Sequence, residues 1–343
     1  MRNHERITEI LAKGYRSFDN AQYNDAMEYF SRAMELETHN EEARLAYNQV
    51  IQLVVPRYHF SMLNDKERND VYDRAIRKAV DRNKTVLDVG TGSGLLSMMA
   101  ARAGAKRIYA CEIIRPIADV AKAVIAANGY SDRIDVINKK SDELVLGVDI
   151  PYKLDLLITE TIDSALIGEG IIPIIKHAKE CFLKDNAVII PRGARVFATL
   201  LDSQEIYEMN HAYMAVGLDV SPFNSLSTNG AYPVRLKMFK HKFLCEPFEI
   251  CEFDFKSDQL KPRNIEISIS SPDSGICHAV AFWFDLYLDE DTTFSSSPLN
   301  PKTHWKQAVQ CFPEPIHIRD NEELQLSVCQ SPTKFHFNLI QPN

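Results

Sequence analysis

Thr85-Val86-Leu87-Asp88-Val89-Gly90-Thr91-Gly92-Ser93-Gly94 decides the fold of this chain. Val86, Leu87 and Val89 make a short apolar run with β-branched residues, the pattern of a buried strand. Gly90, Gly92 and Gly94 then lead into an apolar helical pattern, Leu95-Leu96-Ser97-Met98-Met99-Ala100. Glycine at these positions admits positive φ and lets a ligand approach the backbone without a Cβ clash. The N–H groups at the start of the following helix face the same crevice. The stretch therefore predicts a nucleotide-type site at the carboxyl end of a first strand.

Three features narrow the ligand. A dinucleotide fingerprint spaces its glycines as GxGxxG, whereas the pattern here is Asp-x-Gly-x-Gly-x-Gly. Asp88, at the strand end, would repel a pyrophosphate and attract an ammonium or a sulfonium. A second strand pattern, Arg107 to Cys111, runs into Glu112, whose carboxylate can accept both hydroxyls of a ribose. A ribose together with a cation points to S-adenosylmethionine rather than to a nicotinamide dinucleotide. A glycine-rich turn alone would read equally as an ordinary βα turn; Asp88 and Glu112 at these places tell against that.

The 343 residues suffice for two or three domains with substantial cores. Hydrophobic residues at 45% and charged residues at 25% fit a globular protein. A formal net charge of -8 supplies no global field for gripping nucleic acid and suits a basic protein or peptide partner. Seven cysteines lie scattered without a CxxC pair or zinc spacing, so no metal site is expected and a cytosolic or nuclear setting fits. No secretory segment opens the chain and no apolar run approaches a membrane span.

Residues 1–54 read as a helical segment of three helices. Gly14, Phe18, Tyr23, Ala26, Phe30 and Ala33 resemble a tetratricopeptide hairpin, small residues at the helix crossing and aromatics between, although Thr38 stands where the repeat usually has proline. The segment is either a pad docked on the next domain or a peptide-binding module. Pro56 breaks the run, and a further helical segment is expected from about Phe60 to Asp81, its charged line Met62 to Asn69 reading by itself as a solvated helix. Over 55–191 strand and helix patterns alternate, which predicts a mostly parallel α/β sheet flanked by helices. Over 192–343 short alternating runs between polar and proline turns predict an antiparallel β domain, sandwich or barrel. A helical, aromatic-bearing insertion at 203–226 interrupts it, as an irregular cap or as an arm reaching a second subunit.

The fourth parallel strand ends in Thr159-Glu160, and the loop from Glu160 runs through Asp163 to Glu169 at the carboxyl edge where ligands react. Two glutamates closing one short loop can act as a pincer on a planar, forked guanidinium. Alternatively Glu169 simply favours a helix N-terminus. Downstream, Thr303-His304-Trp305 sits in a proline-flanked loop, where a lone histidine beside tryptophan also reads as a packed structural residue.

Asp88 to Gly94, Glu112, the Glu160–Glu169 loop and Thr303-His304-Trp305 occur in the order and spacing of the protein arginine methyltransferases, and the resemblance runs from about Tyr58 to the C-terminus. It implies a Rossmann-like S-adenosylmethionine domain followed by a β-barrel-like domain. It also implies methyl transfer to arginine in a protein substrate, without direct nucleic-acid or membrane binding. By resemblance, Gly90, Thr91, Gly92, Gly94 and Leu95 would line the cofactor turn with Asp88. Glu112 and Ile113 would hold the ribose, and Ser141 and Asp142 the adenine. Arg68 would pair with the cofactor carboxylate, and Met62 would line the transfer site. Glu160 and Glu169 would clamp the substrate guanidinium, with Glu160 also beside the cofactor. His304 would close the arginine pocket and pair with Asp65, and the 203–226 insertion would be the family's dimerisation arm. The loop reads Thr161-Ile162-Asp163-Ser164 where the commonest members have Trp, Met, Gly and Tyr, and so resembles the seventh and ninth human subtypes. The helical N-terminus favours the ninth, a symmetric dimethylator. That branch also carries a second, degenerate methyltransferase module, and this sequence ends before one.

Overall fold

A computed structural model describes residues 2–257, 260–300, 303 and 305–340. Three helices, α1 (Arg2–Asp19), α2 (Tyr23–Leu36) and α3 (Glu41–Val54), open the chain. Gly14 explains how closely α1 and α2 cross, since a Cβ there would stand 2.5 Å from Phe30 Cε1. Asn40 caps α3, its Oδ1 accepting from Ala43 N–H at 2.8 Å. Ile10, Phe30, Ala33 and Val50 belong to a core of these helices' own, separate from the main one. An exposed ion pair, Arg115 Nη1 to Glu28 Oε2 at 3.3 Å, reaches across to the body of the protein, a contact of small energetic weight.

After Pro56 come α4 (Tyr58–Leu63) and α5 (Lys66–Ala79). The single helical segment expected here is broken at Asn64-Asp65. Asp65 takes extended backbone and caps α5, its Oδ1 accepting from Arg68 N–H at 3.0 Å. The solvated-helix reading also fails, because α5 buries Arg68, Val71, Tyr72, Ala75 and Ile76.

Five parallel strands follow: β1 (Thr85–Val89), β2 (Arg107–Cys111), β3 (Ile134–Ile137), β4 (Leu154–Thr159) and β5 (Leu183–Ile190). Helices α6 (Leu95–Ala103), α7 (Arg115–Ala127) and α8 (Ile171–Cys181) alternate with them. The order β3-β2-β1-β4-β5 reverses direction beside β1, which opens a crevice at the carboxyl ends of β1, β2 and β4. All five residues of β1 are buried, as expected for a central strand covered on both faces.

β6 (Gly193–Asp202) begins an antiparallel unit of two sheets. One has seven strands centred on β6, Gly275–Tyr287 and Gln307–Ile318; the other pairs Arg263–Ser271, Glu322–Gln330 and Phe335–Ile340. They face each other through Phe282 against Phe335 and Phe337, ring centroids 5.8 and 5.0 Å apart. The Gln310 side chain also bonds both backbone groups of Phe337. Among the described residues no strand pair joins the sheets, so the unit is a pair of facing sheets and not a closed barrel. Its apolar core is continuous with that of the parallel sheet.

Within the insertion, Ser203 caps a helix that stops at Tyr207 rather than running on to Tyr213. Val216 and Gly217, both at positive φ, turn a small hairpin, Met214–Ala215 against Leu218–Asp219. Met214, Val216, Leu218, Phe223 and Leu226 leave it with an exposed apolar surface. No described helix is long and apolar enough to cross a membrane.

Candidate active site

The glycine turn is tied from beneath. Asp88 on β1 has no exposed surface, and its Oδ2 accepts from Thr91 Oγ1 and Ser97 Oγ, each at 2.6 Å. Burial pushes its carboxyl up, while those two hydroxyls oppose the shift. Asp88 thus fastens the turn to α6 through Oδ2, while its buried Oδ1 has no hydrogen-bond partner among the described residues. Thr91 also points its hydroxyl inward, which leaves backbone as what it offers the crevice. Gly90 at φ 72° has no room for a Cβ, which would meet Thr161 Cγ2 at 2.7 Å. A Cβ on Gly92 would stand 3.7 Å from His59 Nδ1, so α4 lies across the turn. Gly94 caps α6 in the left-handed region, and Leu95, half-buried, begins the helix.

Beyond β2, the buried Glu112 accepts from Gly92 N–H at 3.1 Å and Ile114 N–H at 2.9 Å. Burial raises its carboxyl, against those backbone donors. Two bonds leave a carboxylate with spare acceptor capacity for hydroxyls. Ile113 beside it is exposed. Ser141 is half-buried on a short 3₁₀ turn, Ser141–Glu143. Asp142 on the same turn is exposed and gives its carboxylate to Lys140 Nζ at 2.6 Å.

Glu160 follows β4 and meets α5. Arg68 Nη2 lies 2.8 Å from Glu160 Oε2, and Arg68 Nε donates to Oε1 at 3.1 Å, with both side chains 4% exposed. Arg68 Nη1 donates to Asn69 Oδ1 at 2.7 Å, and the guanidinium stands 5.2 Å from the Tyr72 ring centroid. Burial works against the charge on Arg68, and the Glu160 carboxylate outweighs it. The partner expected for Arg68 was a cofactor carboxylate; in the structure its fork is on Glu160.

Glu169 lies at the exposed mouth of the same crevice. Partial desolvation, then the charges of Glu160 and Asp163, push its carboxyl up to about 7, opposed by a hydrogen bond with Tyr58. The two glutamates thus act on each other across the crevice. Met62 is half-buried on α4.

From the second unit, Trp305 reaches back. Its Nε1–H donates to Asp65 Oδ2 at 3.2 Å, and its ring lies edge-on to Phe284 and Phe294. Among the described residues Asp65 has one oxygen on Trp305 and the other on the start of α5. Thr303 is buried, with its Oγ1 accepting from Trp305 N–H. His304 lies outside the described residues.

Tyr58, His59, Asp163 and Trp305 were not singled out by sequence as working residues. Trp305 carried a signal, the apolar neighbour of a flagged histidine; Asp163 carried a fainter one, an acid between two glutamates. Asp88, Glu112, Glu160, Asp163 and Glu169 are all held above the ordinary carboxylate range by burial. Such an excess of strained acid favours a ligand bearing positive charge.

A switch-point crevice with this glycine turn, a buried acid after β2 and acidic walls fits a Rossmann-like, S-adenosylmethionine-dependent methyltransferase. Family models agree: one for ribosomal protein L11 methyltransferase (PrmA) matches residues 73–192, and one for the arginine methyltransferase oligomerization subdomain matches 192–339. The arginine N(omega)-methyltransferase of Streptomyces achromogenes subsp. streptozoticus is 40% identical over 281 residues, covering 82% of this chain and 78% of that protein. On these grounds the chain belongs to the arginine N-methyltransferase family.

Protein arginine N-methyltransferase 7 of Drosophila ananassae is 33% identical over 75% of the chain, and protein arginine N-methyltransferase 9 of Mus musculus 32% over 83%. The chain spans 44% and 38% of those two proteins, so both suggested subtypes are among its relatives. A solved Trypanosoma brucei PRMT1 enzyme-prozyme heterotetrameric complex with AdoHcy shares the fold, with TM-score 0.70, 22% identity, and coverage of 82% of this chain and 92% of that one.

Proposed function

We propose that this enzyme methylates an arginine guanidinium held between Glu160 and Glu169. The observation that carries the reading is that Glu160 and Glu169 bound one loop after β4, packed on the glycine turn through Thr161, with the charge of Glu160 raising Glu169. The turn residues Gly90, Thr91, Gly92, Gly94 and Leu95, with Glu112, Ile113, Ser141 and Asp142, fit the nucleoside, and Met62 the region near the transferred group. When bound, S-adenosylmethionine supplies an electrophilic methyl carbon on a cationic sulfur.

A free guanidinium is a poor nucleophile, and its pKa above about 12 forbids prior deprotonation. Glu160 and Glu169 therefore fix its plane and draw positive charge towards themselves, leaving electron density on the attacking nitrogen. Holding reacting atoms about 3 Å apart can supply roughly 7–11 kcal/mol of the barrier lowering. As the new C–N bond forms at the expense of the methyl–sulfur bond, whose electron pair stays on sulfur, that nitrogen must shed a proton. Glu169, with a carboxyl near neutrality, is placed to take it. His304 remains a proposed wall of the arginine pocket.

The acceptor is taken to be arginine in a protein, giving monomethyl and symmetric dimethyl products, in keeping with the net charge of -8 and the subtype 9 relative. A second reading, free arginine, is favoured by the Streptomyces relative, whose name specifies arginine rather than protein arginine. Exposed Met214, Leu218, Phe223 and Leu226 support a homodimer through the arm, and the N-terminal helices are proposed to bind a partner. Incubation with labelled methyl donor and either arginine-rich peptide or free L-arginine, followed by mass spectrometry of the product, tests the reading. Labelling of neither acceptor overturns it.

A further inference from the structure

We infer that Asp163 is a positioning residue for Glu169, its carboxylate folding the loop that aims Glu169 and its negative charge acting on Glu169 across that loop. The inference rests on the clamp reading above. Asp163 Oδ1 accepts from Ala165 N–H at 3.1 Å and again from Gly168 N–H at 2.9 Å, the residue immediately before Glu169. Asp163 C=O accepts from Leu166 N–H at 3.0 Å, and Ile167 C=O from Gly170 N–H at 3.0 Å, so two consecutive turns are wound about one side chain.

The glycine at 168 follows from this. Its φ is not positive, yet a Cβ there would stand 2.0 Å from Asp163 Oδ2. The carboxylate, not the backbone conformation, requires it. Leu166 is wholly buried at φ 72°, a left-handed conformation that a branched residue holds only where its surroundings over-determine it. Gly170 at φ 88° then caps α8. Glu169 therefore sits between two glycines, one fixed by Asp163 and one by the start of α8.

The charge works alongside the geometry. The groups facing Glu169 are Glu160 at the end of β4, Asp163 in the loop, Tyr58 on α4 and Glu112 after β2. Glu160 is matched by Arg68, whereas Asp163 has backbone N–H partners that do not cancel its full charge. Asp163 thus repels the ionised form of Glu169 and keeps it receptive to a proton at neutral pH.

The test separates shape from charge. Asp163→Asn keeps an acceptor oxygen for both N–H groups and removes the charge; Asp163→Ala removes both. Glu169 is followed by carbon-13 NMR of glutamate-labelled enzyme, assigned with Glu169→Gln, and kcat/KM for arginine-rich peptide or free L-arginine is followed against pH. For Asp163→Asn, both the Glu169 titration and the acid limb of kcat/KM should move to lower pH. Asp163→Ala should lose turnover at every pH while retaining S-adenosylhomocysteine binding. A Glu169 titration unmoved in Asp163→Asn, or an Asp163→Ala enzyme as active as Asp163→Asn, overturns the inference. A titration that shifts without the acid limb following leaves Asp163 acting on Glu169 and instead sinks the clamp role of Glu169.

Discussion

Arg68 and Glu160, 92 residues apart in sequence, form a two-point ion pair almost closed to solvent. Glu160 thereby ties α5 to the sheet, besides the clamp role proposed for it. Removing one member of a buried pair strands the other charge, at a cost of about 3–5 kcal/mol. Glu160→Ala should be destabilised on that scale in urea unfolding, while Glu169→Gln, which removes a carboxyl held up by desolvation and like charges, should be no less stable than the parent at neutral pH. Equal stability of the two variants would mean that the pair does not hold α5.

The proposed clamp requires Glu169 ionised, so kcat/KM for the acceptor should fall as pH drops below about 7. The sign follows from a raised carboxyl: protonation on the acid side removes the charge that holds the guanidinium. Binding the cationic acceptor near pH 7 should correspondingly expel a proton, seen by calorimetry in two buffers of different ionisation enthalpy. Glu169→Gln should abolish both the proton release and methylation.

Glu112, the proposed ribose acceptor, holds the glycine turn through Gly92 N–H. Hydrogen bonds to a charged group contribute about 1.5–3 kcal/mol each. Glu112→Ala should thus weaken S-adenosylhomocysteine binding by more than about tenfold in calorimetry. Glu169→Gln should leave that affinity intact; loss of cofactor binding in both variants would argue against separate roles.

The arm offers Phe223 and Leu226 to solvent at 69% and 73% exposure. Phe223→Asp with Leu226→Asp should convert a dimer to a monomer in sedimentation velocity without lowering the unfolding midpoint. A parent chain already monomeric at micromolar concentration refutes the arm proposal.

Much of this architecture was legible in local pattern. The run Val86-Leu87-Asp88-Val89 and its glycines gave the switch point, and the change of texture after Pro191 gave the antiparallel unit. Local pattern could not show that Arg68, on a segment dense with charge, would be buried, because its partner lies on β4's far end. The place of Asp88 at a strand end was readable, whereas its bonds to Thr91 and Ser97 depend on how the turn folds back. The break at Asp65 is written as an aspartate cap, which a longer helical run of similar composition conceals. Closed barrel and facing sheets share one alternating pattern, and only long-range pairing separates them.

The bond from Trp305 to Asp65 joins residues 240 apart. A ribosome releases the whole nucleoside-binding half long before it makes this indole. The segment bearing Arg68 then waits for this fastener until the antiparallel unit has been made.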